Sequence, residues 1–328
     1  MNSWVNTGVP SHVLEHALGR VEDALLAGND ADALLARREA DRARADDDAT
    51  AVALCDEILT GQTEDGSWGG SLIATAAVLL RLADLAGASP SARVAEAAGR
   101  GVAWLKRLRG RPGRYGEGCD PARHRAGLCH HFLGGFFAPE PPLEADAELQ
   151  LPNGSRVPGG AAAQLTASCL ALRATMRWGA RGPDALLHLD GLRRLLELDT
   201  RTTQPRVPLD ALPAIALVLL EGADWPEFRA AASHALERIV QVQRADGSWP
   251  ELDTFAILEV LIAAVDSGFD SDAVDAALVR GSGLLALSQR PDGHWERDIN
   301  TRRTRIGWRT LRHTVRSAQV THPDQGAD

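Results

Sequence analysis

A seven-residue motif constrains the fold of this chain more than any other feature. The pattern Q-x-x-D-G-x-W occurs at residues 62–68, 243–249 and 289–295. Asp246 and Asp292 are 46 residues apart, and Asp65 precedes Asp246 by 181 residues, close to four such steps. Self-similarity at a fixed period of this size indicates a repeat architecture. The sequence therefore predicts six repeats. Three eroded copies are expected near residues 111–116, 153–155 and 199–208.

Each clear copy of the motif separates two kinds of predicted helix. An amphipathic segment ends at the motif, and a more apolar segment follows it, as in residues 252–265. Glycine can take the positive φ of a tight turn, and aspartate can accept hydrogen bonds from the turn backbone. Tryptophan can bury a large flat surface between neighbouring repeats. We therefore interpret the motif as structural, and the alternation predicts an outer layer of half-exposed helices around an inner layer of buried ones.

Composition argues against several classes of function. The formal net charge is −9, and the chain has no basic excess that would suit nucleic acid. No apolar run approaches the roughly 18 residues that a membrane span needs. Four cysteines without a secretory signal suggest reduced thiols. We therefore expect a cytoplasmic protein with no nucleic-acid partner and no membrane span. The sequence carries no indication of the oligomeric state.

The motif and the apolar helices that follow it resemble the QW repeats of the terpenoid cyclase and protein prenyltransferase superfamily, which includes the squalene-hopene type. The resemblance implies an all-α fold, an (α/α)6 toroid of two concentric helix layers, over residues 48–318. Residues 1–47 would then form N-terminal helices packed on the barrel, and residues 319–328 a disordered tail. The implied function is a terpenoid cyclase-like enzyme that binds a small isoprenoid, or a prenyl diphosphate, in the lumen and acts by acid-initiated carbocation chemistry.

The resemblance also suggests where the acid would lie. Class II terpene cyclases carry D-x-D-D-T-A, in which an aspartic acid protonates an alkene at the lumen end of an inner helix. The nearest lumen-side counterpart is Leu252-Asp253-Thr254-Phe255, which keeps one aspartate and the threonine. Asp253 is the first candidate acid, and Asp210 the second, because a carboxylic acid in an apolar cavity can stay protonated. Alternatively, each caps its helix. The run at residues 46–48 opens an outer helix, where acidic residues are ordinary.

Arginines on the last predicted helix suggest an anion site. Their spacing of three or four residues places them on one helical face, and guanidinium groups bind phosphate through paired hydrogen bonds. The proposed diphosphate-binding residues are Arg302, Arg305, Arg309 and Arg312. The alternative is a solvated face that pairs with carboxylates. Aromatic side chains would line the cavity, and the candidates are Phe132, Phe136, Trp178, Phe255 and Trp308.

Two other hypotheses remain open. Lanthionine cyclases, toroids of similar build, hold zinc with cysteine and histidine, and Cys129, His130 and Cys169 could supply three ligands here, although in a different order along the chain. No Asp-x-Cys pair of the prenyltransferase zinc site occurs. The chain could also be a non-catalytic toroid that binds an isoprenoid or a peptide. No cofactor is expected for the cyclase hypothesis, and Mg or Zn are the ions to test.

Overall fold

The computed structural model describes residues 9–108, 148–159, 161–179, 181–200, 207–269 and 271–321. Almost every element in these ranges is a helix, so the predicted all-α class is confirmed. The first five helices are α1 (Ser11–Leu26), α2 (Ala31–Glu39), α3 (Asp47–Thr60), α4 (Leu72–Ala86) and α5 (Ala92–Arg107). The others are α6 (Ala161–Arg177), α7 (Pro183–Thr200), α8 (Leu212–Glu221), α9 (Pro226–Gln241), α10 (Thr254–Asp266), α11 (Asp272–Ser288) and α12 (Thr301–Thr321).

Two short elements complete the description. Strands β1 (Leu149–Gln150) and β2 (Arg156–Val157) form an antiparallel pair, with Leu149 opposite Val157. A 3-10 turn, Leu209–Ala211, precedes α8. None of the described helices combines the length and apolar character that crossing a lipid bilayer requires.

The chain divides into two compact units. Unit 1 contains the described residues of Met1–Asp47, Pro152–Ser155 and Glu237–Asp328, and unit 2 contains those of Asp48–Leu151 and Arg156–Leu236. This division differs from the predicted one, because the N-terminal helices belong to one unit with the C-terminal helices. The C-terminal segment also differs from the tail predicted for residues 319–328. Helix α12 includes residues 319–321, and residues 322–328 lie outside the described ranges.

Unit 1 is built on the contact between its first and last helices. Helix α1 packs on α12 and also contacts α2 and α11, and α10 packs on α11 and α12. Apolar residues at helical spacing on α1 meet a fully buried tryptophan, Trp308, and its neighbours on α12. The buried side chains from these two helices are Leu14, Ala17, Val21, Leu25, Trp308, Leu311 and Val315. Burial of this apolar area stabilises unit 1.

A buried ion pair closes the N-terminal part of unit 1. Arg37 Nε donates to both oxygens of Asp47 at 3.0 Å, and both side chains are 3% exposed. The Arg37 hydrogen bond lowers the pKa of Asp47 to about 2. Asp47 also accepts from the Arg44 N–H at 2.9 Å. The acidic run at residues 46–48 therefore does more than place charge at a helix start, because its central carboxylate neutralises a buried guanidinium.

Unit 2 has a core of three apolar helices. Helix α6 packs against α4 and α8, and α5 and α7 lie against these core helices. Ser71 caps α4 by accepting from the Ala74 N–H at 3.3 Å, and Gly87 ends that helix with a φ of 60°. Glycine is suited to this position because it takes positive φ without a Cβ clash. The predicted alternation of buried and half-exposed helices is thus visible within the unit.

The three motif turns, residues 62–68, 243–249 and 289–295, share one internal structure. In each turn the aspartate Oδ1 accepts from the N–H two residues later. The N–O distances are 2.9 Å for Asp65, 2.9 Å for Asp246 and 3.1 Å for Asp292. The tryptophan Nε1 donates to a carbonyl oxygen ten residues earlier. These distances are 2.9 Å for Trp68, 2.9 Å for Trp249 and 2.8 Å for Trp295. The motif therefore joins each turn to the end of the preceding helix.

Each motif turn also docks on one further helix through the same contacts. The glutamine Nε2 donates to the glycine carbonyl of its own turn and to an alanine carbonyl of the docked helix. Those alanines are Ala97 on α5, Ala277 on α11 and Ala17 on α1. The glutamine Oε1 accepts from an arginine three residues after the alanine. Those arginines are Arg100, Arg280 and Arg20. The motif is thus structural, as interpreted from the sequence.

The third motif turn explains why α1 belongs with the C-terminal helices. A Cβ added to Gly293 would lie 2.5 Å from the Arg20 carbonyl oxygen, so only glycine permits this close approach. The corresponding glycines of the other two turns approach Arg100 and Arg280 in the same way. Helix α1 therefore takes the role of the helix on which a motif turn docks, although it comes first in the chain.

Candidate functional site

Asp253, the first candidate acid, caps helix α10. Its backbone is extended, with a φ of −73° and a ψ of 118°, and its Oδ1 accepts from the Ala256 N–H at 3.0 Å. This is the capping role that the sequence left as an alternative. Because the cap uses one oxygen, Oδ2 is directed elsewhere, and it accepts from Arg303 on α12. Capping and the arginine contact together fix the position of the carboxyl group.

Arg303 connects the groups around Asp253. Its NH2 donates to Asp253, its NH1 donates to Glu296, and its Nε donates to the Asn153 carbonyl oxygen at 2.7 Å. The guanidinium carbon also lies 5.1 Å from the centroid of the Phe255 ring, within cation–π distance. The side chain is only 12% exposed. Three hydrogen-bonded nitrogens on a planar group leave the guanidinium little freedom to rotate.

The turn at Asn153-Gly154-Ser155, hereafter the Asn153 turn, lies against this arginine. Asn153 Oδ1 accepts from the Ser155 N–H at 3.0 Å and from its hydroxyl at 2.6 Å. Asn153 Nδ2 donates to Glu259 Oε2 on α10 at 3.1 Å. Gly154 has a φ of 80°, and a Cβ there would be 3.1 Å from Arg303 Nε. The turn therefore contacts both of the helices that carry Asp253 and Arg303.

The four arginines predicted to bind diphosphate have acceptors within the protein. Arg302 lies 2.6 Å from Glu259, Arg305 pairs with Glu39, and Arg309 pairs with Asp266 and, at 3.0 Å, with Glu39. Arg312 donates to the Glu39 carbonyl oxygen at 2.6 Å and lies 4.9 Å from the Trp308 ring centroid. Burial lowers the pKa of the Arg312 guanidinium. This arrangement is the carboxylate pairing that the sequence left as the alternative to a diphosphate site.

The aromatic candidates have different surroundings. Phe255 is 8% exposed, and its ring meets Trp295 edge to face at 5.7 Å between centroids. Trp178 is half-buried, and its Nε1 donates to the Leu79 carbonyl oxygen at 2.8 Å. Trp308 has no exposed surface and packs in the core of unit 1. Phe132 and Phe136 lie outside the described residues.

The remaining candidates lie in unit 2 or outside the described residues. Asp210 is half-buried in the 3-10 turn before α8 in unit 2. Cys169 is buried on α6, where desolvation raises the pKa of its thiol and disfavours the thiolate that zinc requires. Cys129 and His130 lie outside the described ranges. Among the residues that the structure describes, no three histidine, cysteine or carboxylate side chains are grouped as metal ligands.

Sequence reasoning missed Arg303, Glu259 and Glu296. Counting every third or fourth residue along the last helix selected Arg302 and Arg305, and Arg303 lies about 100° around the helix from Arg302. The Asn153 turn was noticed only as a degraded repeat. One signal was available. Asn-Gly-Ser can form the same local bonds as Asp-Gly-Ser while adding an NH2 donor that aspartate lacks.

Comparison with solved structures shows the fold of type II terpene cyclases. The type II terpene cyclase MstE from Scytonema, in complex with its substrate geranylgeranyl dihydroxybenzoate, matches with a TM-score of 0.52 and 15% identity over 93% of this chain and 98% of that chain. Its complex with the product merosterolic acid A gives the same values. A protein from Actinoplanes matches with a TM-score of 0.54 and 17% identity over 92% and 99%. No protein-family profile and no curated protein sequence matches. The predicted all-α toroid class is thereby confirmed.

Proposed function

We propose that this protein is a terpenoid cyclase-like enzyme that cyclises an isoprenoid by protonating one of its alkenes. The observation that carries the proposal is the likeness in fold to a type II terpene cyclase with substrate and with product, over nearly the full length of both chains. Because identity is 15%, the likeness does not fix the chemistry. We infer the chemistry from Asp253 and its neighbours.

Asp253 is the proposed proton donor. Protonation of an alkene requires a strong acid, and hydrogen bonds donated to a carboxyl group stabilise the carboxylate that remains after proton transfer. The Ala256 N–H and the Arg303 guanidinium both donate to Asp253. A preorganised cation and backbone dipole act on the developing charge without reorganisation. These two donors are the geometry that supports Asp253 as the proton donor.

The proposed reaction is an isomerisation. The O–H bond of the Asp253 carboxyl group breaks, a C–H bond forms at one alkene carbon, and the other carbon becomes a carbocation. Ring closure transfers the charge along the isoprenoid. Loss of a proton to the Asp253 carboxylate, or to water that in turn protonates this carboxylate, restores both the alkene and the acid. The product then has the same mass as the substrate, and no leaving group is released.

The arginines of α12 favour a substrate with a less highly charged head group than a diphosphate. Arg302, Arg305 and Arg309 are already neutralised by Glu259, Glu39 and Asp266. A diphosphate would have to displace these carboxylates, at the cost of leaving partly buried charges unpaired. Diphosphate binding by α12 is therefore the weaker form of the proposal.

A turnover assay with matched substrates tests the proposal. Geranylgeranyl dihydroxybenzoate, geranylgeraniol and geranylgeranyl diphosphate share one chain and differ in head group. We expect a cyclic product of unchanged mass from at least one of the first two, no dependence on added chelator, and a loss of at least about 10²-fold in kcat for Asp253→Asn. The control, Asp210→Asn, should retain activity. Binding without turnover would instead indicate a non-catalytic isoprenoid-binding protein, and zinc-dependent activity would contradict the proposal.

A further inference from the structure

The Asn153 turn differs from the motif turns in what its side chain and its carbonyl group contact. In the second motif turn, Asp246 Oδ1 binds Ser248, and that turn docks on α11. Asn153 makes the same local bonds to Ser155. Its other polar atoms contact two charged side chains, Glu259 and Arg303, near the candidate acid. A turn used elsewhere in the chain for docking is therefore connected here to the proposed catalytic group.

The backbone of the turn fixes the direction of one guanidinium. The Asn153 carbonyl oxygen accepts from Arg303 Nε at 2.7 Å, and a Cβ added to Gly154 would lie 3.1 Å from the same nitrogen. Because a guanidinium is rigid and planar, holding Nε also sets the direction of NH2. That NH2 group donates to Asp253. The turn therefore restrains the Asp253 carboxyl oxygen through the guanidinium of Arg303.

The side chain of the turn fixes the second helix. Asn153 Nδ2 donates to Glu259 Oε2 at 3.1 Å, and Glu259 Oε1 accepts from Arg302 at 2.6 Å. Glu259 lies on α10, the helix that Asp253 caps, and it is only 12% exposed. The turn therefore contacts α10 through its side chain and α12 through its backbone, which restrains the two helices that bring acid and guanidinium together.

We propose that the Asn153 turn is a positioning element of the active site, which holds Asp253 in its reactive orientation through Arg303 and Glu259. This inference rests on the proposed function. Neither Asn153 nor Glu259 touches the reacting atoms in this scheme. A displacement of about 1 Å in a catalytic group can cost on the order of 10²-fold in rate, so a contact that only orients the carboxyl group should affect kcat more than KM.

Asn153→Asp is the discriminating substitution. The new carboxylate keeps the acceptor that binds Ser155, so the turn itself should persist, but it replaces the donor to Glu259 with a second negative charge. We expect kcat to fall at least about tenfold with KM changed less than about twofold. The matched control is Asp246→Asn, the reverse exchange in a motif turn, which should leave kcat and KM unchanged.

A second substitution distinguishes positioning from general loss of structure. In Asn153→Asp/Glu259→Gln, the amide donor and the carboxylate acceptor exchange places, so one hydrogen bond between the two positions is restored. We expect the double variant to recover most of the kcat lost in Asn153→Asp, which would be a non-additive coupling between the two sites. Loss of thermal stability in Asn153→Asp with kcat unchanged, or no recovery in the double variant, would overturn the inference.

Hydrogen exchange separates this inference from the proposed function. The Ala256 amide donates to Asp253 Oδ1, so its exchange rate reports the position of that carboxyl group whether or not a substrate is known. We expect faster exchange of Ala256 in Asn153→Asp and wild-type exchange in Asp246→Asn. If the wild-type protein turns over no isoprenoid, the proposed function fails while this readout still measures the coupling. Unchanged Ala256 exchange in Asn153→Asp would overturn the positioning role.

Discussion

The second motif turn and the Asn153 turn have the same local structure and different surroundings. In both turns, a side-chain oxygen accepts from the N–H two residues later. The residue in between is a glycine with positive φ, 87° in the motif turn and 80° in the Asn153 turn. The motif turn packs on α11, because its glutamine and its glycine meet carbonyl oxygens of that helix and the glutamine also accepts from Arg280. The Asn153 turn meets the side chains of Glu259 and Arg303 instead.

This difference indicates how a repeat can acquire a new role. The Asn153 turn keeps a glutamine at the motif position, the exposed Gln150, but Arg156 stands where the tryptophan would be. Because the tryptophan is replaced, the turn no longer needs to fill the space between helices. Its asparagine can therefore act on Glu259, and its carbonyl group on Arg303. The complete motif stabilises the fold, and we propose that its eroded copy orients the candidate site.

The largest expected difference between the two turns concerns the tryptophan position. Trp249 is 3% exposed and donates to Ile239, whereas Arg156 is exposed and lies 3.4 Å from Glu148. Trp249→Ala should lower the free energy of unfolding by about 3–5 kcal/mol, because it leaves a large cavity. Arg156→Ala should change it by less than about 0.5 kcal/mol. Urea denaturation of both variants measures this, and equal losses would contradict the distinction.

The glycines should show a smaller difference. A Cβ at Gly247 would lie 2.2 Å from the Arg280 carbonyl oxygen, whereas the nearest atom to a Cβ at Gly154 is a side-chain nitrogen at 3.0 Å. Gly247→Ala should therefore destabilise by about 3 kcal/mol or more, since backbone must move. Gly154→Ala should cost about 1–2 kcal/mol, close to the strain of the left-handed conformation.

Gly268→Ala is the control for that strain. Gly268 has a φ of 70° and nothing within 4 Å of the added Cβ, so only the backbone conformation is penalised. We expect about 1–2 kcal/mol for this variant in the same urea experiment. If Gly247→Ala costs no more than Gly268→Ala, the close approach to α11 does not stabilise the fold.

The smallest expected difference between the two turns is in how the folding stability of their variants depends on pH. Hydrogen bonds from the Ser248 hydroxyl and N–H lower the pKa of Asp246 below its ordinary value of 3.8. A lowered folded-state pKa contributes stability above the unfolded pKa, and this stability is lost as the pH falls through the folded value. Asp246→Asn should therefore reduce stability slightly near pH 6 and approach wild type as the pH falls through the lowered pKa of Asp246. Thermal melts across this range test it. Asn153 cannot titrate, so Asn153→Ala should show no such convergence.

Local features of the fold were predictable from sequence because they depend on nearby residues. Aspartate, glycine and tryptophan at fixed offsets specify the motif turns, and the all-α class followed from the apolar helices after them. The docking of α1 was not predictable in this way. It depends on contacts between Gln289 and Ala17, which are 272 residues apart, and Gln289 gives no sign of which helix its amide will meet.

The candidate site was predictable only in part for the same reason. Asp253 was selected because it precedes an apolar helix, and its capping bond is local. Arg303 was missed because its role depends on Asn153 and Glu296, which approach it only in the folded chain. The core position of Trp308 was not predictable, because a core tryptophan and a cavity-lining tryptophan follow the same spacing along a helix.

Incorporation of deuterium tests the central claim most directly. When the protein acts on geranylgeranyl dihydroxybenzoate or geranylgeraniol in D2O, protonation of an alkene by Asp253 should leave one carbon-bound deuterium in each cyclic product. The account predicts a product about 1 Da heavier than the product made in H2O, at a rate strongly reduced in Asp253→Asn. A cyclic product without carbon-bound deuterium, or one formed at the wild-type rate by Asp253→Asn, would contradict it.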